Sequence, residues 1–235
     1  MADLIAIDFN SPFKFYRWTA ETTTVNSSFA YDSIDTIGRG VDWDGTDVVW
    51  SGSQAGKGYR GTGFGLTIQA SYSTGSGSST RGITWDGTDA MDEHLTQDKW
   101  RKRTGFTATV QSSFIVGTAP LGGSWHISGA DLFTIDISAS KSREHSGFSA
   151  TITTSYSSGG WSGITANTSD EHIDAKTGGE DKVRKRDNFT STITSSWSPT
   201  EGSGRVDIAW DGRFAAAGLD FQPLFNRSER TYLRM

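Results

Sequence analysis

Apolar and polar residues alternate along this chain in short stretches, and the stretches recur at a nearly constant interval. "TATVQSSF" and "TITTSYS" have the period of two and the β-branched content of strands. Long stretches with helical periodicity are hard to find. Five segments align with one another: "TVNSSF" from Thr24, "TIQASY" from Thr67, "TVQSSF" from Thr109, "TITTSY" from Thr151 and "TITSSW" from Thr192. The steps between them are 43, 42, 42 and 41 residues. Each segment places an aromatic four positions after an aliphatic: Val25/Phe29, Ile68/Tyr72, Val110/Phe114, Ile152/Tyr156 and Ile193/Trp197. Residues four apart lie on one face of a strand, so one face is apolar in every copy.

Other features keep the same phase. Gly63-Phe64, Gly105-Phe106, Gly147-Phe148 and Asn188-Phe189 precede the repeated segment. Before them come basic stretches such as "KGYRGT", "DKWRKRT", "KSREHSG" and "DKVRKRD", and "WDGTD" follows after a Gly/Ser/Pro loop. One unit is then strand A ("GITWDG"), strand B ("DLFTIDI"), strand C ("DKVRKR") and strand D ("FSATITTSYS"). Four short antiparallel strands in about 42 residues make a propeller blade. A solenoid coil is usually shorter. A membrane barrel needs a lipid-facing apolar band, which "DKWRKRT" and "GRGVDWDG" do not supply.

The expected fold is therefore all-β, a five-bladed propeller of four-stranded antiparallel blades in a single domain, residues 1–235. Closure follows from where the repeat is cut. The chain begins with B ("DLIAID"), C ("KFYRW") and D ("TTVNSSFAY"), which would join strand A of residues 205–212 in one composite blade. Residues 214–235 would then be an extension docking on a partner. The alternatives are a six-bladed ring with incomplete blades, or a ring that displaces residues 1–20 in favour of the C-terminal strands.

Composition agrees with this reading: 28 glycines and nine tryptophans, with 34% hydrophobic residues. The chain has no cysteine, so neither disulfides nor thiolate chemistry enter. A net charge of −5 argues against a nucleic-acid binder. "MADLIAIDFNSPFKF" has no basic segment followed by an apolar core, and no apolar run reaches membrane-spanning length. The expectation is a protein made in a cytoplasm and not inserted in a membrane.

The repeated Trp-Asp-Gly has two readings. Asp-Gly between strands is a tight-turn signal, with Gly taking positive φ and Asp accepting backbone N–H bonds; the Trp would pack between blades. Alternatively, Trp43 with Asp44, Trp85 with Asp86 and Trp210 with Asp211 would be ligand sites, rings stacking on sugars and carboxylates accepting hydroxyl protons. The aligned positions depart from the motif at Ile127 ("SWHISGAD") and Ala166 ("GITANTSD"). Catalysis is not expected. His94, His126, His145 and His172 lack metal-binding spacing and read as exposed or strand-edge residues; no catalytic residues, metal or cofactor are expected. The basic runs read as solvated outer strands that discourage edge-to-edge aggregation.

With strands and turns in place, the "GITWDGTD" unit resembles the degenerate NHL- and WD-like propeller repeats of bacterial and bacteriophage proteins. The five-fold count and the Trp-rich turns also look like five-bladed lectin propellers of the tachylectin type, in architecture. The resemblance implies the fold; in combination with a small, Gly/Ser/Thr-rich, cysteine-free chain that shows no export signal and is nearly all repeat, it suggests a non-enzymatic structural or adhesion module of a bacteriophage virion, a tail or capsid appendage. It would be multi-copy or homo-oligomeric, bound to other virion proteins and in contact with a host glycan. A free multivalent lectin and a cytoplasmic scaffold are the alternatives.

Overall fold

A computed structural model describes residues 3–8, 13–19, 22–75, 80–117, 120–126, 130–159, 163–166, 171–176, 182–199 and 205–211. Residues 214–235 and Ile127 lie outside this set.

Among the described residues, twenty strands form five four-stranded antiparallel sheets arranged in a ring. Blade 1 contains β1 (Leu4–Asp8), β2 (Lys14–Trp18), β3 (Val25–Ala30) and, from the other end of the chain, β20 (Arg205–Trp210). Blade 2 is β4 (Gly38–Trp43), β5 (Val48–Gly52), β6 (Lys57–Gly61) and β7 (Ile68–Ser73). Blade 3 is β8 (Thr80–Trp85), β9 (Ala90–His94), β10 (Lys99–Arg103) and β11 (Val110–Ile115). Blade 4 is β12 (Pro120–His126), β13 (Asp131–Asp136), β14 (Lys141–His145) and β15 (Ile152–Ser157). Blade 5 is β16 (Gly163–Ala166), β17 (His172–Lys176), β18 (Lys182–Arg186) and β19 (Ile193–Trp197). The composite blade closes the ring: β20 pairs with β1 from Leu4↔Trp210 to Asp8↔Arg205. β1 and β2 are thus inside the ring, which removes the arrangement that displaced the N-terminal strands. Closure of this kind joins the two halves of one sheet through backbone hydrogen bonds and buried side chains, with no covalent tie.

The A strands line the axis, each against the A strands of both neighbouring blades. They approach too closely for a side chain at some points. A Cβ on Gly40 would lie 2.5 Å from the Ile83 backbone nitrogen, and one on Gly163 would lie 2.7 Å from the Asp207 Cα. Short polar side chains link these strands. Asp207 Oδ2 accepts the Val41 N–H (3.1 Å), and Asp42 Oδ2 accepts the Trp85 N–H (2.7 Å) and the Thr84 hydroxyl (2.5 Å). Thr84 Oγ1 in turn accepts the Trp125 N–H (2.8 Å).

The apolar core is divided into clusters between blades, led by Trp50, Trp18, Trp100 and Phe133. This is how a ring of thin sheets buries apolar surface without one deep centre. Every C–D pair carries a register shift at the same place, after Arg17, Arg60, Lys102, Glu144 and Lys185. The turn that follows puts Gly63, Gly105, Gly147 and Asn188 at φ of 58°, 56°, 61° and 49°. Glycine accepts that conformation freely, and asparagine is among the few other residues that tolerate it. Strand D accordingly starts four residues later than its sequence pattern suggests, at Ile152 rather than Phe148.

The outer D strands are less buried than their pattern implies. Their aromatics pack inward: Tyr72 and Tyr156 are buried, and Phe114 packs against the cluster around Trp100. Of the aliphatics four residues earlier, Val110, Ile152 and Ile193 face solvent, 43%, 46% and 45% exposed, whereas Val25 and Ile68 are half-buried against inter-blade clusters.

Candidate functional site

The Trp-Asp-Gly turn is built from backbone upward. Gly45 and Gly87 take φ of 102° and 101° as the first of two loop residues. Asp44 Oδ1 accepts the N–H groups of Thr46 (2.9 Å) and Asp47 (2.8 Å), and Asp86 Oδ1 does the same for Thr88 (2.9 Å) and Asp89 (2.7 Å). The second acid reaches onward to the next turn of its own blade: Asp47 accepts from the Gly63 N–H and Asp89 from the Gly105 N–H, both at 2.6 Å. Asp211 does related work in the composite blade, accepting the Asp3 N–H on Oδ1. Burial raises the Asp211 carboxyl above its ordinary range, against the pull of the Asp3 N–H and Arg17.

These acids also hold the cations of strand C. Arg17 pairs with Asp3 (3.0 Å) and Asp211 (2.5 Å), Arg60 with Asp44 (2.6 Å) and Asp47 (3.3 Å), and Lys102 with Asp86 (2.7 Å) and Asp89 (3.5 Å). In blade 5 Lys185 pairs with Glu171 (2.5 Å). Two of these cations also face the next blade: the Arg17 guanidinium lies 5.7 Å from the Trp43 ring and that of Arg60 5.8 Å from Trp85. Trp43, Trp85 and Trp210 are each 8% exposed. Their rings keep little surface for stacking on a sugar.

The basic runs are therefore not solvated outer strands, as their sequence suggested. Strand C is third from the axis, with strand D outside it. One set of its cations holds the turn acids. Another goes into the blade: Arg103 donates from Nε to Asp92 Oδ2 (2.5 Å) and from Nη2 to Oδ1 (3.1 Å), and from Nη1 to the Ala108 carbonyl (2.7 Å). Arg101 Nε donates to Asp92 Oδ1 (2.8 Å), and the Tyr72 hydroxyl of the neighbouring blade to Oδ2 (3.1 Å). Blade 5 repeats the plan with Arg186 on Asp174 (3.1 Å) and on the Ser191 carbonyl (2.8 Å), under the Tyr156 ring at 4.8 Å. The residue types match across the interface. Where strand D ends in Tyr, the next blade supplies Asp and Arg; where it ends in Phe114, the next blade supplies His145, 5.4 Å away. The buried Tyr72 hydroxyl finds its acceptor in Asp92, and the phenyl ring of Phe114 needs none.

The histidines also differ from expectation. His94, His126, His145 and His172 are all buried, at 5%, 6%, 1% and 2% exposed. Burial pushes the His145 imidazole down to about 4 and that of His172 down to about 3. His145 keeps a contact to Thr134 Oγ1 at 3.0 Å. His172 lies edge-on to Phe133 (4.3 Å) and Phe189 (4.6 Å). Among the described residues no group of three or more His, Asp and Glu is placed to hold a metal ion.

Blade 4 corrects the alignment. Trp125, not Ile127, stands at the Trp85 position: Trp125 pairs with Leu132 as Trp85 pairs with Ala90. The A–B loop of blade 4 is longer than its counterparts, so the Asp-Gly spacing slips while the Trp does not. Ala166 in blade 5 is then the one departure in five. Ala166 packs in a buried cluster with Phe133, Tyr156 and Phe189. An open pocket of about 410 Å³ lies between blades 4 and 5, lined in part by His126, Asp131, Phe133, Glu144, His172 and Phe189. Those residues lie on several strands, so no stretch of the sequence shows the pocket.

No family model matches the chain, and no curated protein does. Solved structures match in fold. A protein of unknown function from Bacteroides caccae is 10% identical with a TM-score of 0.61, over 89% of this chain and 98% of that one. A chain of the nidogen/laminin complex is 13% identical with a TM-score of 0.59, over 90% and 98%. Glutaminyl cyclase of Myxococcus xanthus is 12% identical with a TM-score of 0.54, over 73% and 69%. What the chain shares with these proteins is the β-propeller fold; in this chain the blades number five.

Proposed function

We propose that this protein is a non-enzymatic structural and adhesion module, carried in several copies on a larger assembly, a bacteriophage particle. The observation that carries the reading is how the repeated side chains are used. The turn acids Asp44, Asp86 and Asp211 hold cations and N–H groups of their own blades, whereas three of the five repeated aliphatics of the outer strands face solvent. Val110, Ile152 and Ile193, with Ile115 at 63% exposed, put apolar side chains at the ring's perimeter on edge strands. Such edges pair with other chains unless they are covered. A rigid ring with apolar edges suits lateral attachment to neighbouring proteins. Contact with a host glycan would fall to surfaces other than the Trp43, Trp85 and Trp210 rings.

Mass spectrometry and electron microscopy of purified particles test this. The protein should be found in particles, as a ring at a tail or capsid vertex. Replacing Val110, Ile152 and Ile193 together by Asp should leave a folded ring that no longer joins the particle. Absence of the protein from particles made by the genome that encodes it would refute the reading.

A further inference from the structure

Every blade ends in the same kind of strand. β3, β7, β11, β15 and β19 each stand at the outer edge of a sheet, and among the described strands each is paired on one side only. Their sequences, "VNSSFA", "IQASYS", "VQSSFI", "ITTSYS" and "ITSSW", contain no Asp, Glu, Lys, Arg or Pro. Charges and prolines commonly keep a second chain off an exposed edge, and all five edges lack them. The bulge in each C–D pair lies near the first residue of strand D and leaves the rest of the edge regular.

The inner edge of strand D shows what kind of partner it accepts. In each blade that partner is strand C, and a basic residue of C stands opposite a serine of D: Arg17↔Ser27, Lys57↔Ser73, Arg101↔Ser113, Arg143↔Ser155 and Arg184↔Ser196. An uncharged, hydroxyl-rich strand is thus paired with a cationic one in every blade. One more segment of the sequence has the cationic character and belongs to no blade. Residues 227–235, outside the described residues, read "RSERTYLRM". From Arg230 the pattern alternates, with Thr231, Leu233 and Met235 in one phase and Arg230, Tyr232 and Arg234 in the other. A basic residue followed two places on by a tyrosine is also how β2 ("KFYRW") and β6 ("KGYRG") begin.

We propose that residues 230–235 add as a fifth strand to the open edge of β11. Among the described D strands, β11 is the one with two exposed aliphatics, Val110 at 43% and Ile115 at 63%. They are five residues apart and therefore lie on opposite faces of the sheet. An added strand covers both, with Leu233 on one face and Tyr232 on the other, while its backbone pairs with the outward N–H and C=O groups. Each D edge lies three strand spacings, about 14 Å, outside its A strand. Residues 212–226 span about 50 Å when extended, which reaches an edge of the same ring or of a neighbouring copy. β15 and β19 stay open to other proteins. The inference concerns the same perimeter as the proposed attachment but is tested on the isolated protein, so its failure leaves that reading standing.

Residue-resolved amide exchange on the whole chain tests it. Alternate amides of an edge strand point away from the sheet and exchange quickly unless another strand pairs with them. The outward amides of β11 should exchange more slowly in the unsubstituted chain than in Tyr232→Pro with Leu233→Pro, by about tenfold or more, the effect of one or two net hydrogen bonds. Consecutive N–H groups of a strand point opposite ways, so the two prolines remove a donor from whichever side faces β11. Val110→Lys with Ile115→Lys, which sets cations against Arg230 and Arg234, should raise exchange in the same way. Tryptophan fluorescence in urea checks that both variants keep the ring, which β20 already closes. Protection that persists in a monomer on dilution, followed by sedimentation, identifies the same ring as the acceptor; protection lost as oligomers dissociate identifies a neighbouring copy. Fast exchange of these amides in the unsubstituted chain, or protection that survives in both folded variants, would overturn the proposal.

Discussion

Asp92 offers a sharp test of how the blades are joined. Its side chain is fully buried, it takes hydrogen bonds from Arg101, Arg103 and the Tyr72 hydroxyl, and Arg103 is itself only 3% exposed. In Asp92→Ala the Arg103 guanidinium would stay in the blade with its charge uncompensated. Removing one partner of a buried pair costs about 3–5 kcal/mol. The Tyr72 hydroxyl loses its acceptor as well, while Arg101, 11% exposed, can turn towards water and recover part of the loss. A net destabilisation of about 4 kcal/mol is expected, within a total stability of about 5–15 kcal/mol. At about 2–4 °C per kcal/mol for a chain of this size, Tm should fall by about 8–16 °C. Urea unfolding followed by tryptophan fluorescence measures the change directly. The double variant Asp92→Leu with Arg103→Met should recover much of it, because two apolar side chains leave no buried charge. A loss under about 1 kcal/mol for Asp92→Ala, or no recovery in the double variant, would refute the argument that this pair is desolvated and mutually required.

Three further outcomes are expected. Trp85→Ala should cost about 3–5 kcal/mol in urea unfolding, the range for deleting a buried large aromatic; a loss below about 1 kcal/mol would mean that the ring is not an inter-blade contact. Asn188→Gly should change stability little, whereas Asn188→Val, a β-branched residue at φ of 49°, should cost about 1–2 kcal/mol in the same assay. The pH dependence has a defined sign. His145 and His172 have folded pKa values of about 4 and about 3, below the roughly 6.5 of an unfolded histidine. Their contribution is therefore complete above about pH 6.5 and is lost as pH falls towards 4, at up to about 1.4 kcal/mol per pH unit for each. Asp174, raised to about 6 by burial against the pull of Arg186, works in the opposite direction over the same window. His172→Phe should accordingly flatten the acid limb of stability by about one proton, read from unfolding free energies between pH 6.5 and 4; an unchanged slope would contradict it.

The blades were legible because their signals are local. Alternation at Ile152–Ser157, the Asp-Gly turn at Asp86, the αL-tolerant residues from Gly63 to Asn188 and the interval near 42 residues can each be read within one unit. The composite blade was also legible: a repeat that starts at strand B and is completed by a late strand A has a simple way to close, and β20 pairs with β1 accordingly.

What only the tertiary structure decided lies across blade boundaries. The run "DKWRKR" carries one charge pattern, yet Lys102 serves a surface turn while Arg103 is buried on Asp92 and meets Tyr72 of the preceding blade. Neighbouring residues on a strand point to opposite faces, and the surroundings of each face are set by a sheet about forty residues away. The four histidines, lacking metal-binding spacing, read as exposed or strand-edge residues; they are buried because strands A to C are covered by adjacent blades. Ala166 was visible as a missing Trp, but what packs against it, Phe133 and Phe189 among others, is brought there only by the folded ring. The sequence alone determined the repeat, the strands and the number of blades, since hydrogen bonding and turn geometry act over a few residues. Burial, ion pairing and the open groove were decided by blade-against-blade packing, which no local pattern contains.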